Sequence, residues 1–129
     1  MNKRCLLVII FIFTLISLCL AEDYRHEENQ IRNKNKEYEV IIYYKDGEKI
    51  KSEYIEGERH SVKYSSSETL KEAKELNADK VVFIHNHPSQ SINISNNDIK
   101  QKEITDNKFE RNDIETEHIV VTRSQERQY

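Results

Sequence analysis

The chain has little of several residue types, and each scarcity narrows what it can be. Two cysteines, Cys5 and Cys19, occur in 129 residues, and both fall in the apolar amino-terminal segment. Cleavage behind that segment leaves a mature chain with no cysteine, which excludes a disulfide framework and thiol catalysis. With only two glycines there is no Gly-x-Ser-x-Gly elbow for a serine nucleophile. The single proline, Pro88, directly follows His85-Asn86-His87. No internal repeat or low-complexity tract is present, and no basic run marks a nucleic-acid footprint, so no nucleic-acid partner is expected.

The length suits one domain with a small core. One third of the residues are charged, and the formal net charge is -3. Apolar runs still punctuate the chain, which favours a folded domain with a solvated surface over disorder. Residues 1–21 read as a secretory signal peptide: Lys3 and Arg4 precede an apolar run from Leu6 to Leu20, short for a membrane span, and Cys19-Leu20-Ala21 is an acceptable cleavage site. Export to the periplasm or outside the cell follows, with no stable membrane association after cleavage; an uncleaved anchor is the alternative. Residues 22–36, charged and rich in Asn, read as a polar linker, and the domain spans 37–129.

Within the domain, Tyr38–Tyr44 and Lys49–Ile55 read as strands joined at Asp46-Gly47, with an optional third strand at Val62–Tyr64. Ser65 and Glu68 have capping-box spacing for a helix to about Asn77. Val81-Val82-Phe83-Ile84 reads as a buried strand ended by Pro88. Ser95 to Asp98 opens a second helix, residues 107–113 are too polar to extend it, and His118–Thr122 makes the last strand.

Two histidines directly follow the apolar strand. Side chains two apart on a strand share a face, so His85 and His87 can converge on one ion, with Asp98 in the first turn of the next helix as a third ligand and a fourth position open. The plainer alternative makes Ser95 and Asp98 a capping pair and the histidines polar strand-end residues.

His85-x-His87, seven residues, Ser95, two residues, Asp98 resembles the JAMM metallopeptidase motif of the JAB/MPN family, most closely its RadC-like branch. The likeness continues through Glu68–Ala73, Leu76-Asn77-Ala78 and Glu117–Val121, and covers roughly residues 37 to 122. It implies a single α/β domain with a mixed β-sheet flanked by helices in cytidine-deaminase-like layers. It implies Zn²⁺ held by His85, His87 and Asp98, a glutamate as general base, and Ser95 as a donor to the oxyanion. The base matches Glu37, with Glu39 as the rival on the same strand face. His118 falls in a strand near the site, as a structural or ligand-orienting residue. Gln90 stands where the family usually has glycine and Ile94 where it often has proline, which alters the loop between His87 and Ser95.

The implied function is hydrolysis of a peptide or isopeptide bond in a protein or peptide substrate. A non-catalytic, zinc-stabilised binding module of the same fold is the alternative. For the leader, amino-terminal sequencing of exported protein is expected to begin at Glu22; a product still beginning at Met1 and held in the membrane would support the anchor instead.

Overall fold

The structure, a computed structural model, describes residues 24–129, so the amino-terminal apolar segment and its cysteines lie outside the described residues. Their centre is a five-stranded mixed sheet in the order β2-β1-β3-β4-β5. Strands β1 (Tyr38–Lys45) and β2 (Glu48–Glu56) form the expected antiparallel hairpin. At its turn Asp46 and Gly47 both take positive φ, 50° and 79°, as a two-residue turn that follows the strand twist requires. β1 is interior, with β3 (Lys80–Asn86) antiparallel on its other side, and six of its eight residues are buried. β3 runs parallel to β4 (Glu115–Val121), and β5 (Glu126–Gln128), a strand the sequence did not reveal, pairs antiparallel with β4.

Strand alternation separates two cores. On one face Val40, Ile42, Val82, Ile84, Ile119 and Val121 pack with Ile31 of helix α1 (Arg25–Ile31). On the other face Ile41, Tyr43, Val81 and Phe83 pack with Ala73 and Phe109, from helices α2 (Ser66–Glu75) and α3 (Asn96–Glu110). At roughly 1.5–3 kcal/mol for each fully buried large apolar side chain, these two layers supply most of the cohesion. Among the described residues no helix is long and apolar enough to cross a membrane.

α2 begins at Ser65, whose hydroxyl accepts from the Glu68 amide at 3.2 Å, half of the expected capping box. It ends in a left-handed Asn77 (φ 53°), with Ala78 N–H returned to Ala73 O and Asn77 N–H to Lys74 O. This Schellman closure satisfies the terminal carbonyls. Residues 62–64 form no strand.

Two expectations are corrected. α3 runs through 107–110, although the polar composition of that stretch predicts no helix: Phe109 is fully buried and Lys108 Nζ donates to Ser66 and Ser67 of α2. One buried aromatic and cross-helix bonds compensate for the missing apolar stripe. Nor is the whole of 22–36 a linker, because residues 25–31 form a helix against the sheet. Its inward residues are Glu27, Glu28 and Ile31, so hydrophobic periodicity gave no sign of it. Glu27 accepts from Lys49 Nζ (2.8 Å) and Ser52 Oγ (2.9 Å) of β2. Arg32 donates to Glu28 (3.2 Å) and to the carbonyls of Thr122 (2.7 Å) and Gln125 (2.9 Å) in the β4–β5 turn.

Burial, then a shared hydrogen bond with Glu126 and its charge, push the Glu28 carboxyl up to about 7 against the opposing pull of Arg32. A carboxyl whose folded pKa lies above its unfolded value favours the folded state while protonated. That contribution is complete below about 4.5 and is lost as pH rises to about 7. Thermal melts are expected to show wild-type stability declining across this window, and Glu28→Gln, which cannot ionise, to flatten the decline.

Candidate metal centre

The site is built at the carboxyl end of β3. His85 lies within the strand and His87 just past it, where its N–H continues the parallel pairing by donating to Val121 O at 3.0 Å. Both rings take the face shared by Phe83 and by Glu39 of β1, which stands opposite His85 in register. His85 is buried and His87 nearly so. The His85 and His87 Nε2 atoms are 3.0 Å apart, and Asp98 Oδ2 lies 3.6 Å from each.

These three residues offer ligand atoms that all lie within 4.8 Å of one another. Nitrogen and oxygen ligands about 2.0–2.1 Å from a tetrahedral zinc would be about 3.3–3.4 Å apart, close to the observed triangle. His87 Nδ1 is 2.7 Å from Ser91 O, so it carries the proton and donates, leaving the Nε2 lone pair for an ion. The donor set therefore fits a divalent cation that accepts imidazole and carboxylate.

Asp98 is positioned by the start of α3. Ser95 Oγ accepts from Asp98 N at 3.1 Å, while Asp98 Oδ2 accepts from Ser95 N at 3.2 Å, a complete capping box. Ser95 is thus the helix cap, and its hydroxyl, being an acceptor there, still has its own O–H to donate. Burial alone would raise the Asp98 carboxyl, but the two histidine rings 3.6 Å away and the hydrogen bond from Ser95 N hold it far below the usual carboxylate range. On His87 burial acts downward and is outweighed by Asp98, the Ser91 carbonyl and Glu37, so its pKa is raised.

A cleft of about 700 Å³ opens over the site, with Glu37, His87, Ser95 and Asp98 among its lining residues. Glu37 is half-buried and its carboxyl is raised, chiefly by burial and then by Asp98, with His87 acting against them. Glu39 is only 4 % exposed, does not line this cleft, and is raised further by burial, Asp98 and Glu37. The two carboxylates share a strand face, as strand parity requires, but differ in access.

The middle residue of the His-Asn-His run carried no expectation. Asn86 is fully buried on the opposite face, its Oδ1 accepting from Tyr38 N at 2.6 Å and its Nδ2 donating to Lys36 O at 3.0 Å. The ladder between β1 and β3 ends at Glu39 and His85, and the Asn86 amide replaces the next peptide group. Residues 36–38 are thereby anchored to the ligand strand. On the other side Glu37 N donates to Glu58 O and Gly57 N to Glu37 O, each at 2.8 Å. Gly57 is required there, since a Cβ would come within 2.3 Å of Ser61 O.

His118 lies on β4 and holds no place in the ligand triangle. Its Nε2 is 2.8 Å from Asp106 Oδ1, which also accepts from Thr116 Oγ1 at 2.7 Å, so it ties β4 to α3. Its ring stacks on Phe83, whose other face carries Tyr64, with centroids 4.9 and 4.8 Å away. Burial lowers its pKa against the pull of Asp106. Tyr129, unmarked in the sequence, sits edge-on to His85 with its hydroxyl 3.4 Å from His85 Nδ1. Tyr129 N donates to His118 O at 3.0 Å. His26 and His60 are exposed and apart from the ligand group.

The loop departure at Gln90 has a structural answer. Gln90 takes φ 67°, the region glycine enters freely, while its side chain accepts from Arg123 N at 2.9 Å and donates to Pro88 O at 3.2 Å. These bonds offset strain of about 1–3 kcal/mol.

A mixed sheet layered by helices, with two histidines at a strand end and an aspartate at a helix start, defines an α/β domain whose donor group could hold a metal ion. A family model for the RadC-like JAB domain matches residues 19–129, and the chain belongs to that family. No curated protein matches the chain in sequence.

Asn86→Ala is expected to leave the Tyr38 amide and Lys36 carbonyl without their partner, lowering stability in denaturant titration by about 1–3 kcal/mol. Asn86→Asp keeps only the acceptor half and should recover little of that loss, because it also buries a charge.

Proposed function

We propose that this RadC-like JAB domain is an exported zinc-dependent hydrolase of amide bonds in polypeptides, peptide or isopeptide. The observation that carries this reading is Glu37. It is a half-buried carboxylate with a raised pKa that lines the same cleft as His87 and Asp98 without joining the three converging ligands. A domain that used metal only for stability would have no need of such a group.

His85, His87 and Asp98 would hold the ion, which when bound supplies Lewis-acid activation of a water and of the scissile carbonyl. Glu37 takes the proton of the attacking water and delivers it to the leaving nitrogen as the C–N bond breaks. Its raised pKa suits both halves of that transfer, since the best catalytic pKa lies near the working pH. The Ser95 hydroxyl, already oriented by Asp98 N, donates to the oxygen on which negative charge develops. Glu39, opposite His85 in register, stays a buried carboxyl that favours its neutral form. The secretory reading of residues 1–21 would place this chemistry in the periplasm or outside the cell, and the cysteine-free mature chain suits either.

The purified protein is expected to bind one zinc ion per chain, and His85→Ala/His87→Ala to lose it in metal analysis. Glu37→Gln is expected to keep its zinc while turnover on a peptide library falls by at least about two orders of magnitude. If Glu39→Gln silences cleavage and Glu37→Gln does not, the base is Glu39. If wild type loads zinc but cleaves no peptide or isopeptide, the domain is a binding module.

A further inference from the structure

Beside the metal cleft lies a second one of about 520 Å³, lined by Lys34, Lys36, Arg59, His60 and Arg123 together with Pro88 and Ser89. It shares His60 and Ser89 with the lining of the metal cleft, so the two adjoin. No carboxylate lines it. Its charges come from three separate places: the segment after α1, the turn after β2, and the β4–β5 turn. They concentrate on one surface of a chain whose formal net charge is -3.

Lys36 pairs with Glu56 at 2.8 Å, with both side chains about half exposed, and the Lys34 ammonium lies 5.6 Å from the Tyr38 ring centre. Among the described residues the guanidinium groups of Arg59 and Arg123 have no ion-pair partner. Two unpaired guanidiniums at a concave surface are suited to carboxylates, which they can bind in a bidentate manner. Pro88 and Ser89 directly follow His87, so a chain with an anionic group seated here has only the shared wall of His60 and Ser89 to cross to the three converging donors.

From this arrangement we infer that the cleft is a substrate subsite for an acidic polypeptide segment, rich in Asp or Glu and flanking the amide to be cut. The inference rests on the hydrolase reading for the word substrate, but binding to the cleft can be measured without hydrolysis. A nucleic acid fits less well, since the cleft offers no Phe, Tyr or Trp on which a base could stack.

The test is fluorescence anisotropy of the full-length chain with labelled short peptides of one length: Asp/Glu-rich, Ser/Gln-rich and Lys-rich. A single-stranded oligonucleotide matched in charge to the acidic peptide serves as competitor. The acidic peptide is expected to bind at least about tenfold more tightly than the neutral one at low salt, with the preference shrinking as salt rises. Arg59→Glu/Arg123→Glu should erase the preference without changing the melting temperature, and Arg59→Gln/Arg123→Gln should reduce it in the same direction should charge reversal impair folding. His85→Ala/His87→Ala should retain it.

Equal binding of acidic and neutral peptides, or a preference untouched by both arginine pairs, would overturn the subsite. An oligonucleotide that binds more tightly through the same arginines would overturn the polypeptide assignment. A chain that binds the acidic peptide but cleaves no amide would leave the subsite standing as a docking cleft and overturn the hydrolase reading alone.

Discussion

The pairing of β3 between β1 and β4 is the constraint from which the rest of the molecule follows. Strand alternation sends Val82, Ile84 and Asn86 to the α1 side and Val81, Phe83 and His85 to the side of α2 and α3. A slip of one residue would exchange these faces, burying the histidines under α1 and turning the Asn86 amide towards the cleft. The apolar residues on both faces oppose that slip, so the core that stabilises the fold also aims the two histidines. Asn86 adds a polar lock, because only in the observed register does its amide meet both Tyr38 N and Lys36 O.

A second set of interactions joins elements far apart in sequence through charge rather than apolar area. Arg32 binds Glu28 and the carbonyls of the β4–β5 turn, and its guanidinium also lies 3.8 Å from the Glu126 carboxylate of β5. β5 leads directly to Tyr129, which lies against His85. The amino-terminal helix and the ring beside His85 are therefore joined through β5. Loss of Arg32 would leave the buried Glu28 carboxyl without its cation, and a buried charge left unpaired costs several kcal/mol. Loops complete the site by local means: Gly57 allows the close turn against Glu37, and Gln90 holds a left-handed conformation with side-chain bonds instead of glycine's freedom.

Much of this was legible in the chain because the signals are local. The hairpin was marked by Asp46-Gly47, α2 by Ser65, the ligand strand by Val81–Ile84, and the ligand group by residues only 13 apart, from His85 to Asp98. Where signals were not local, reading failed. α1 shows no apolar periodicity because its inward residues are two glutamates and one isoleucine, Glu27 answered by Lys49 and Ser52 of β2 and Glu28 by Arg32 at the helix's own end. Three-residue β5 has too few residues to show a pattern, and the last turns of α3 depend on one buried phenylalanine and on α2. Strand parity put Glu37 and Glu39 on one face and could go no further, because access to the cleft depends on the turn at Gly57 and the start of α3.

The sequence by itself determined the β1–β2 hairpin, α2, β3 and β4, the face each of their residues takes, and the spacing that lets two histidines and an aspartate meet, since backbone periodicity and helix capping act over a few residues. Only the tertiary structure decided which carboxylate reaches the cleft, what Asn86, His118 and Tyr129 touch, and that a chain without a basic run carries a basic cleft. Lys34, Arg59 and Arg123 are neighbours there because the sheet brings three turns together at one end, and no pattern along the chain encodes that distance.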